Sequence, residues 1–416
     1  MLFCIVLHPI IIGHLSMICY AVLYGFPMIY IFFNFRYVQK LFCKLNSNHF
    51  MVVCGIGVMT ALSVIVPVIH KTMDFSYISV SLSLLRKLIL FLFLFIVLMK
   101  KDPVAKHVEV FMKYYILAQC LYVCSTLIFL AIPSLKETWK LILNEEVNTN
   151  LYDAFGYAGR FGWSGFSGYR VTIVCSLSII FINYLYFDNK SITFSVYMIG
   201  SVMLFVGNMF YGRTGIIVSA IVIIIYIFVY HNIKIKYIVF LLLSLCVLFI
   251  GLQIARQHVD YINEWYIWAT KPIVQLLTGD ISNSGTDSLS TVTGRMSFIP
   301  EFNTLIWGDG YYTDPVYGTY YKKTDLGYMR QLLYWGLIGT SFTYLVVMHS
   351  IISIECRRYV FKFSLIIFMV LFEYKGNMYF DVLPLFLLIG IVNVYQCRNL
   401  NEIKTILNRL NILGKR

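Results

Sequence analysis

Long apolar runs alternate with short polar stretches along almost the whole chain. Runs of about 20 apolar residues predict helices that cross a lipid bilayer. Hydropathy places these spans at residues 15–35, 49–68, 79–99, 113–132, 171–187, 191–211, 215–230, 237–255, 328–350, 363–378 and 380–397. Residues 1–13 are apolar but short, so they form either a partial twelfth span or an interfacial segment. The pattern predicts an all-α polytopic integral membrane protein with about 11–12 transmembrane helices in a single transmembrane domain, residues 1–416.

The composition agrees with this pattern. Hydrophobic residues make up 59% of the 416 residues, and charged residues only 13%. Soluble domains have roughly 45–50% apolar and about 25% charged residues. The composition therefore excludes an ordinary soluble domain. The first 35 residues lack the basic start of a secretory signal, so we expect no cleaved leader.

The basic residues are distributed unequally between the two sides of the predicted bundle. Alternate connections, from residues 36–44 to the tail at residues 398–416, carry the whole net charge of +13. Lysine and arginine favour the cytoplasmic side of membrane proteins, so we assign these connections to the cytoplasm. The positive charge then reports topology and attraction to membrane lipids, and it does not indicate nucleic-acid binding.

Two connections on the opposite side are much longer than the others, residues 133–170 and residues 256–327. Loops of this length are usually functional or disordered. We therefore expect the functional site on this outer, periplasmic side, in or next to the two large loops. The cytoplasmic tail, residues 398–416, has leucine and isoleucine on one helical face and predicts an amphipathic interfacial helix.

Arginines on the outer side are candidates for binding an anion, because arginine is disfavoured there and its planar fork matches phosphate oxygens. The candidates are Arg86, Arg160, Arg170, Arg213, Arg295 and Arg330. A structural ion pair explains Arg86, inside a predicted span, equally well. For Arg213, in a tight turn between spans, the alternative is a side chain that snorkels to the interface.

Carboxylates near these arginines are candidates for moving a proton. Asp309 lies in a "WGDG" turn, and Asp325 directly precedes the span that begins near residue 328. Asp325 could equally cap that helix. Glu373 and Lys375 lie in the last outer connection, where they either pair with each other or place a desolvated carboxylate as a base.

The order of several motifs resembles the O-antigen polymerases (Wzy type) of bacterial surface-polysaccharide assembly. The segment "GRFGWSGFSGYR" precedes one span, "YGRTGIIVSAIVIII" begins another, and the largest outer loop then leads through "STVTGR" to "LIWGDGYY" and "KTDLGYMRQLLYWGLIG". A hairpin with "EYKGNMYF" follows. The family also has Arg-x10-Gly-like motifs, but neither Arg160 nor Arg170 has a glycine eleven residues later.

The resemblance implies a membrane glycosyltransferase with a GT-C-like architecture in the bacterial inner membrane. Such enzymes transfer a growing glycan from undecaprenyl diphosphate to a lipid-linked repeat unit at the periplasmic face. The partners implied are that lipid-linked oligosaccharide, membrane lipids and a chain-length regulator protein. No cofactor is implied, and we expect no metal requirement, since diphosphate is a good leaving group.

The same resemblance implies roles for the candidate residues. Arg213, Arg295 and Arg330 would stabilise the leaving diphosphate, together with Arg160 and Arg170. Asp325 or Glu373 would orient or deprotonate the acceptor hydroxyl. Aromatic side chains would line the sugar path, namely Trp163, Tyr311, Tyr312 and Tyr328.

Two other functions remain open from the sequence. An O-antigen ligase uses the same donor and generally relies on a histidine in the large outer loop, where only His258 is available. A flippase or transporter for the lipid-linked oligosaccharide would show inverted repeats, and no internal repeat is evident.

Overall fold

The computed structural model describes residues 1–43, 45–102, 106–143, 160–166, 168–230, 296–356 and 358–413, together with residues 250, 253, 256, 257, 263, 266 and 267. Side chains are described as far as Cys397. The helices, numbered here in chain order, are α1 Leu2–Leu7, α2 Ser16–Phe33, α3 Phe35–Phe42, α4 Ser47–Ile69, α5 Ser76–Lys101, α6 His107–Ala131, α7 Pro133–Leu143, α8 Tyr169–Asp188, α9 Phe194–Tyr211, α10 Arg213–Val229, α11 Phe302–Trp307, α12 Gly327–Ile352, α13 Tyr359–Lys375 and α14 Tyr379–Leu413. Two short strands, β1 Phe161–Gly162 and β2 Gly165–Phe166, form an antiparallel hairpin.

The predicted spans correspond closely to these helices. Within the described residues, eight helices are long and apolar enough to cross a membrane, namely α2, α4, α5, α6, α8, α9, α12 and α14. The predicted spans 215–230 and 363–378 correspond to α10 and α13, which have 17 residues each. The predicted span 237–255 lies almost entirely outside the described residues. The chain is therefore an all-α, multi-pass membrane protein.

The predicted cytoplasmic connections meet at one end of the bundle. The Lys100 ammonium donates to the Asn34 side chain at 3.3 Å, and the Gln396 amide lies 2.9 Å from the His107 ring nitrogen. These four residues come from three different predicted cytoplasmic connections or their flanking helix ends. We call this end the basic end, and the other the opposite end. The last helix, α14, continues without interruption from the predicted final span into the tail as far as Leu413.

The N-terminal segment packs inside the bundle. Helix α1 has only six residues, too few to span a bilayer alone. The Phe3 ring contacts Phe111 of α6 edge-on, with ring centroids 5.1 Å apart. The buried His8 ring nitrogen lies 2.7 Å from the Gln119 side-chain oxygen. These contacts hold the N-terminal segment against α6.

Burial is uneven among the spans. Helix α8 is the central element, with 89% of its most apolar stretch buried, and α14 follows with 72%. Helix α2 lies at the periphery with 6% buried and packs mainly on α5. A helix that is apolar on all sides and packs on one neighbour presents its remaining faces to lipid.

Helix α12 is broken at Gly336. That glycine has φ +68°, a conformation that ends the helical ladder, and the freed carbonyl of Leu333 accepts the backbone N–H of Asp309 at 2.6 Å. Gly308, with φ +78°, lies against the Tyr334 carbonyl. The "WGDG" turn therefore satisfies backbone groups that a continuous helix would have bonded internally. Arg330 belongs to the half of α12 before the break.

We expect Gly336→Ala to prevent normal folding. A Cβ atom at this position would lie 2.1 Å from the Ile306 carbonyl oxygen, in addition to the strain of a positive φ. Strain alone costs on the order of 1–2 kcal/mol. Yield of monodisperse protein and the thermal unfolding midpoint measure the effect.

Gly318→Ala is the matched control, because Gly318 also has a positive φ, +64°, but open space around the new methyl group. It should lower the unfolding midpoint by only a few degrees. Equal losses in both variants would contradict the close packing of α11 against the break.

Candidate functional site

A short turn, residues 376–378, joins α13 to α14 at the opposite end. Glu373, in the last turn of α13, is 5% exposed. Its Oε1 accepts the backbone N–H groups of Met378, at 2.8 Å, and Tyr379, at 3.0 Å. Its Oε2 accepts the hydroxyl of Tyr344 at 3.2 Å. The Glu373 carboxylate thus serves as the cap of α14 and holds the turn against α12.

Arg330 lies in the first turn of α12, between two tyrosine rings. Its guanidinium carbon is 3.7 Å from the ring centroid of Tyr320 and 4.0 Å from that of Tyr312. The side chain is 8% exposed, and its Nε has no hydrogen-bond partner. No carboxylate among the described residues forms an ion pair with it. A buried cation held by π faces keeps its in-plane N–H groups for an anionic partner.

The two rings belong to one loop, residues 309–323, which we call the tyrosine loop. An antiparallel bridge between Thr313 and Tyr320 folds this loop back on itself. The fold-back brings Tyr312 and Tyr320 from the two arms of the loop onto Arg330. The cation therefore also fastens the loop to α12.

Asp74 anchors the base of the tyrosine loop. Its Oδ2 accepts the backbone N–H groups of Tyr312, at 2.7 Å, and Thr313, at 2.8 Å. The Thr72 hydroxyl donates to the Gly310 carbonyl at 2.9 Å. The connection between α4 and α5 thus determines the position of the ring of Tyr312 over Arg330.

Asp309 is occupied by contacts within this region. Its carboxylate accepts the hydroxyls of Thr304 and Tyr321 and pairs with the Lys322 ammonium at 3.0 Å. Burial alone would raise the pKa of Asp309, but the Thr304 and Lys322 interactions outweigh it and lower that pKa. Asp309 is therefore an ionised structural anchor in this conformation.

A fully buried polar network includes Gln331, the residue that follows Arg330 in α12. The Tyr77 hydroxyl donates to the Gln331 side-chain oxygen at 2.7 Å and accepts from the Trp335 indole at 3.0 Å. It also bonds the hydroxyl of Tyr379. The Gln331 amide nitrogen has no partner within the described residues. The network joins α5, α12 and α14 around the turn that Glu373 caps.

Two cations share one carboxylate beside the same turn, and Arg86 lies within electrostatic range of one of them, Lys87. Asp381, near the start of α14, pairs with Lys87, and the Arg170 Nε lies 3.7 Å from the same carboxylate. The Arg86 guanidinium lies 5.7 Å from the ring centroid of Tyr24. Arg86 and Arg170 both fall within electrostatic range of that tyrosine. The structure thus joins Arg86 and Arg170 to one cluster and gives Asp381 a part that the sequence analysis did not predict.

Arg160, Trp163 and Arg213 lie on other elements. Arg160 immediately precedes the β1–β2 hairpin, which packs on α6. The Trp163 indole donates to the His8 carbonyl at 3.0 Å, so this donor is used within the fold. Arg213 is the first residue of α10, which packs mainly on α8, α9 and α13.

Asp325 does not cap α12 as the sequence allowed. The N-terminal boundary residue is Leu326, and no side chain makes the capping hydrogen bond. Asp325 is half-buried, within electrostatic range of Tyr169. Lys375 is also half-buried and ends α13. Asp325 lies five residues before Arg330, and Lys375 lies two residues after Glu373.

Two predicted sugar-path tyrosines stack on neighbouring tyrosines. Tyr311 stacks on Tyr321 with ring centroids 5.2 Å apart, and Tyr328 stacks on Tyr374 at 6.0 Å. Both pairs lie on the elements that flank Arg330, the tyrosine loop and the α12–α13 ends. Arg295 and His258 lie outside the described residues, so their predicted roles stay predictions.

Sequence reasoning missed three contributors to this region, Asp74, Tyr320 and Asp381. Asp74 sits in a short outer connection, where an acid among apolar spans is itself a signal. Tyr320 lies in the run "YGTYYKK", where no local pattern distinguishes it from Tyr317 and Tyr321. Asp381 is an acid at the start of a predicted span, a position that calls for a cationic partner.

No family model, curated protein or solved structure matches this chain. The interpretation of the site therefore depends on the geometry of the described residues and on the motif resemblance stated above.

We expect Asp74→Asn to loosen the tyrosine loop. The new amide would turn an N–H donor toward backbone N–H groups, and losing bonds to a charged acceptor costs about 1.5–3 kcal/mol. Burial raises the pKa of Asp74, but hydrogen bonds from Ser76, Thr313 and Tyr312 lower it below the ordinary 3.8. The stabilisation is therefore present above pH 3.8 and is lost as the pH falls further.

Thermal unfolding of the parent and the variant from pH 7 to pH 3 measures this difference. Asp314→Asn is the control, because the recorded hydrogen bonds to the Asp314 carboxylate come from the backbone N–H groups of Val316 and Tyr317 within the exposed turn. A constant difference between parent and Asp74→Asn over the whole pH range would contradict the assignment.

Proposed function

We propose that this protein is a glycan polymerase that transfers a growing chain from a lipid diphosphate to a lipid-linked repeat unit. The observation that carries the proposal is Arg330, a buried guanidinium held between Tyr312 and Tyr320 with no carboxylate partner among the described residues. Its position at the opposite end of a multi-pass bundle suits a ligand with a membrane-embedded tail. The motif resemblance to the O-antigen polymerases supports the same substrate class.

Arg330 would stabilise the charge that develops on the leaving diphosphate. Burying a cation without a counter-ion costs free energy, and the two tyrosine faces offset part of this cost. Binding an anion would offset the rest. Because Arg330 is pre-positioned, little reorganisation is needed as negative charge builds on the bridging oxygen. Arg213 and Arg295 remain proposed partners for the diphosphates.

Asp325 is a better candidate than Glu373 for the base that accepts the proton of the acceptor hydroxyl. Both oxygens of Glu373 are occupied by Met378, Tyr379 and Tyr344, so Glu373 suits a positioning role. Asp325 is half-buried and free of a capping bond. The acceptor hydroxyl oxygen would form a bond to the anomeric carbon, the bond from that carbon to the diphosphate oxygen would break, and the hydroxyl proton would pass to Asp325.

The direct test uses purified full-length protein with undecaprenyl-diphosphate-linked repeat units, resolved on a gel. A ladder of lengthened lipid-linked glycans is the expected result. Absence of a ladder from intact substrate would overturn the polymerase proposal. Transfer only after lipid A–core is added would identify a ligase, and lipid movement across liposomes without lengthening would identify a transporter.

Arg330→Lys should abolish most lengthening while the protein still folds. Lysine keeps the charge but lacks the planar fork, and loss of one such transition-state contact typically costs about 10²–10³ in rate. The initial rate of ladder formation measures the effect. Lys323→Ala is the control, since Lys323 is an exposed base that lies over Tyr317 on the same loop. Full activity of Arg330→Lys would remove Arg330 from the chemistry.

Asp325→Asn and Glu373→Gln separate the two carboxylates. Glutamine can accept both backbone N–H groups with its oxygen and donate to Tyr344, so Glu373→Gln should retain activity within a few-fold. Asp325→Asn should slow lengthening by about 10²–10⁴, the usual contribution of a general base. The opposite ranking at equal protein level would assign the base to Glu373.

A further inference from the structure

Three helix ends share one level at the opposite end of the bundle. The Tyr169 hydroxyl, at the start of α8, donates to the Phe372 carbonyl and to the Gly376 carbonyl, 3.1 Å away. Phe372 and Gly376 mark the end of α13, and α14 starts three residues after Gly376. The starts of α8 and α14 and the end of α13 therefore lie side by side.

Helix length places this level at the membrane boundary. Helix α8 has 20 residues, so it is about 30 Å long, the thickness of the hydrocarbon core. Its far end, Asp188, bonds Tyr230 at the end of α10. Lys87 pairs with Asp381, two residues into α14. Arg86 and Lys87 thus lie near the level of these helix ends.

The cluster at this boundary has more cations than carboxylates. Lys87 and Arg170 share the carboxylate of Asp381, Arg86 forms no ion pair among the described residues, and the nearest other acid along the turn, Glu373, is directed to α14 and Tyr344. The starts of α8 and α14 bring the positive ends of two helix dipoles to this level, and the end of α13 brings one negative end. Excess positive charge next to hydrocarbon is costly unless an anion neutralises it.

The cluster is open toward the lipid. Arg86 is exposed, and the Arg170 side chain is 68% exposed. Tyr24 of the peripheral helix α2 forms one wall. Because α2 is only 6% buried and packs mainly on α5, lipid surrounds this wall. An anion that reaches Arg86 and Arg170 from this side arrives with an acyl tail.

We propose that Arg86 and Arg170 bind the phosphate of an anionic phospholipid, in a site separate from Arg330. The two guanidinium groups supply bidentate donors to the phosphate oxygens, while Lys87 stays paired with Asp381. The acyl chains lie along α2, and Tyr24 packs against the glycerol region. The site does not depend on the transfer reaction, so a failed lengthening assay leaves it unaffected.

Native mass spectrometry of the purified full-length protein with phosphatidylglycerol or phosphatidylcholine tests the site. We expect one tightly retained phosphatidylglycerol and no equivalent phosphatidylcholine. The Arg86→Gln and Arg170→Gln double variant should weaken phosphatidylglycerol binding at least about tenfold, since charge-assisted bonds to two guanidinium groups are lost. Arg36→Gln with Lys40→Gln removes the same charge at the basic end and should leave binding unchanged.

Two further measurements distinguish loss of the site from misfolding and a lipid from a free phosphate. Arg86→Gln alone should fold, because Arg86 is exposed and forms no ion pair in the described part of the chain. This variant should weaken phosphatidylglycerol binding several-fold. Arg86→Lys should restore the binding. Inorganic phosphate at equal concentration should not displace the lipid. Unchanged lipid retention in the double variant would overturn the site, and displacement by inorganic phosphate would overturn the lipid assignment.

Discussion

The carboxylate of Glu373 holds the part of the structure on which the rest of the site depends. It bonds the first backbone N–H groups of α14 from the end of α13, so a chain reversal at the membrane boundary needs no exposed backbone donors. Tyr344 ties the same carboxylate to α12. Without this contact α12, α13 and α14 would lose their common level. Both proposed sites lie on helices that end near that level.

The cations around this turn have two different kinds of partner, carboxylates and aromatic rings. Lys87 and Arg170 share a carboxylate, whereas Arg330 lies between aromatic faces and forms no ion pair within the part of the chain that the structure describes. An ion pair neutralises charge, but a π face leaves most of it available. The break at Gly336 adds to this arrangement, because it directs the first half of α12 toward the tyrosine loop.

Hydropathy predicted most of the spans, because each helix longer than about 17 apolar residues leaves a signal in sequence alone. The candidate site was less predictable. Arg330 and Glu373 were identified as charged residues at a span boundary, but their partners come from distant segments that no local pattern connects. Asp74 and Asp381 were missed for this reason. The broken helix was also missed, since Gly336 in an apolar run has no distinctive local signature.

The anchor between Asp74 and the tyrosine loop has a consequence for biosynthesis. Asp74 and Tyr312 are 238 positions apart in sequence, and the turn that Glu373 caps comes later still. Before residue 312 is synthesised, Asp74 has only its local hydrogen bond from the Ser76 backbone N–H, and the contact with the tyrosine loop forms only after most of the chain has left the ribosome. A chain truncated before α14 lacks the backbone N–H groups that Glu373 bonds, so the turn beside the Arg330 region cannot form.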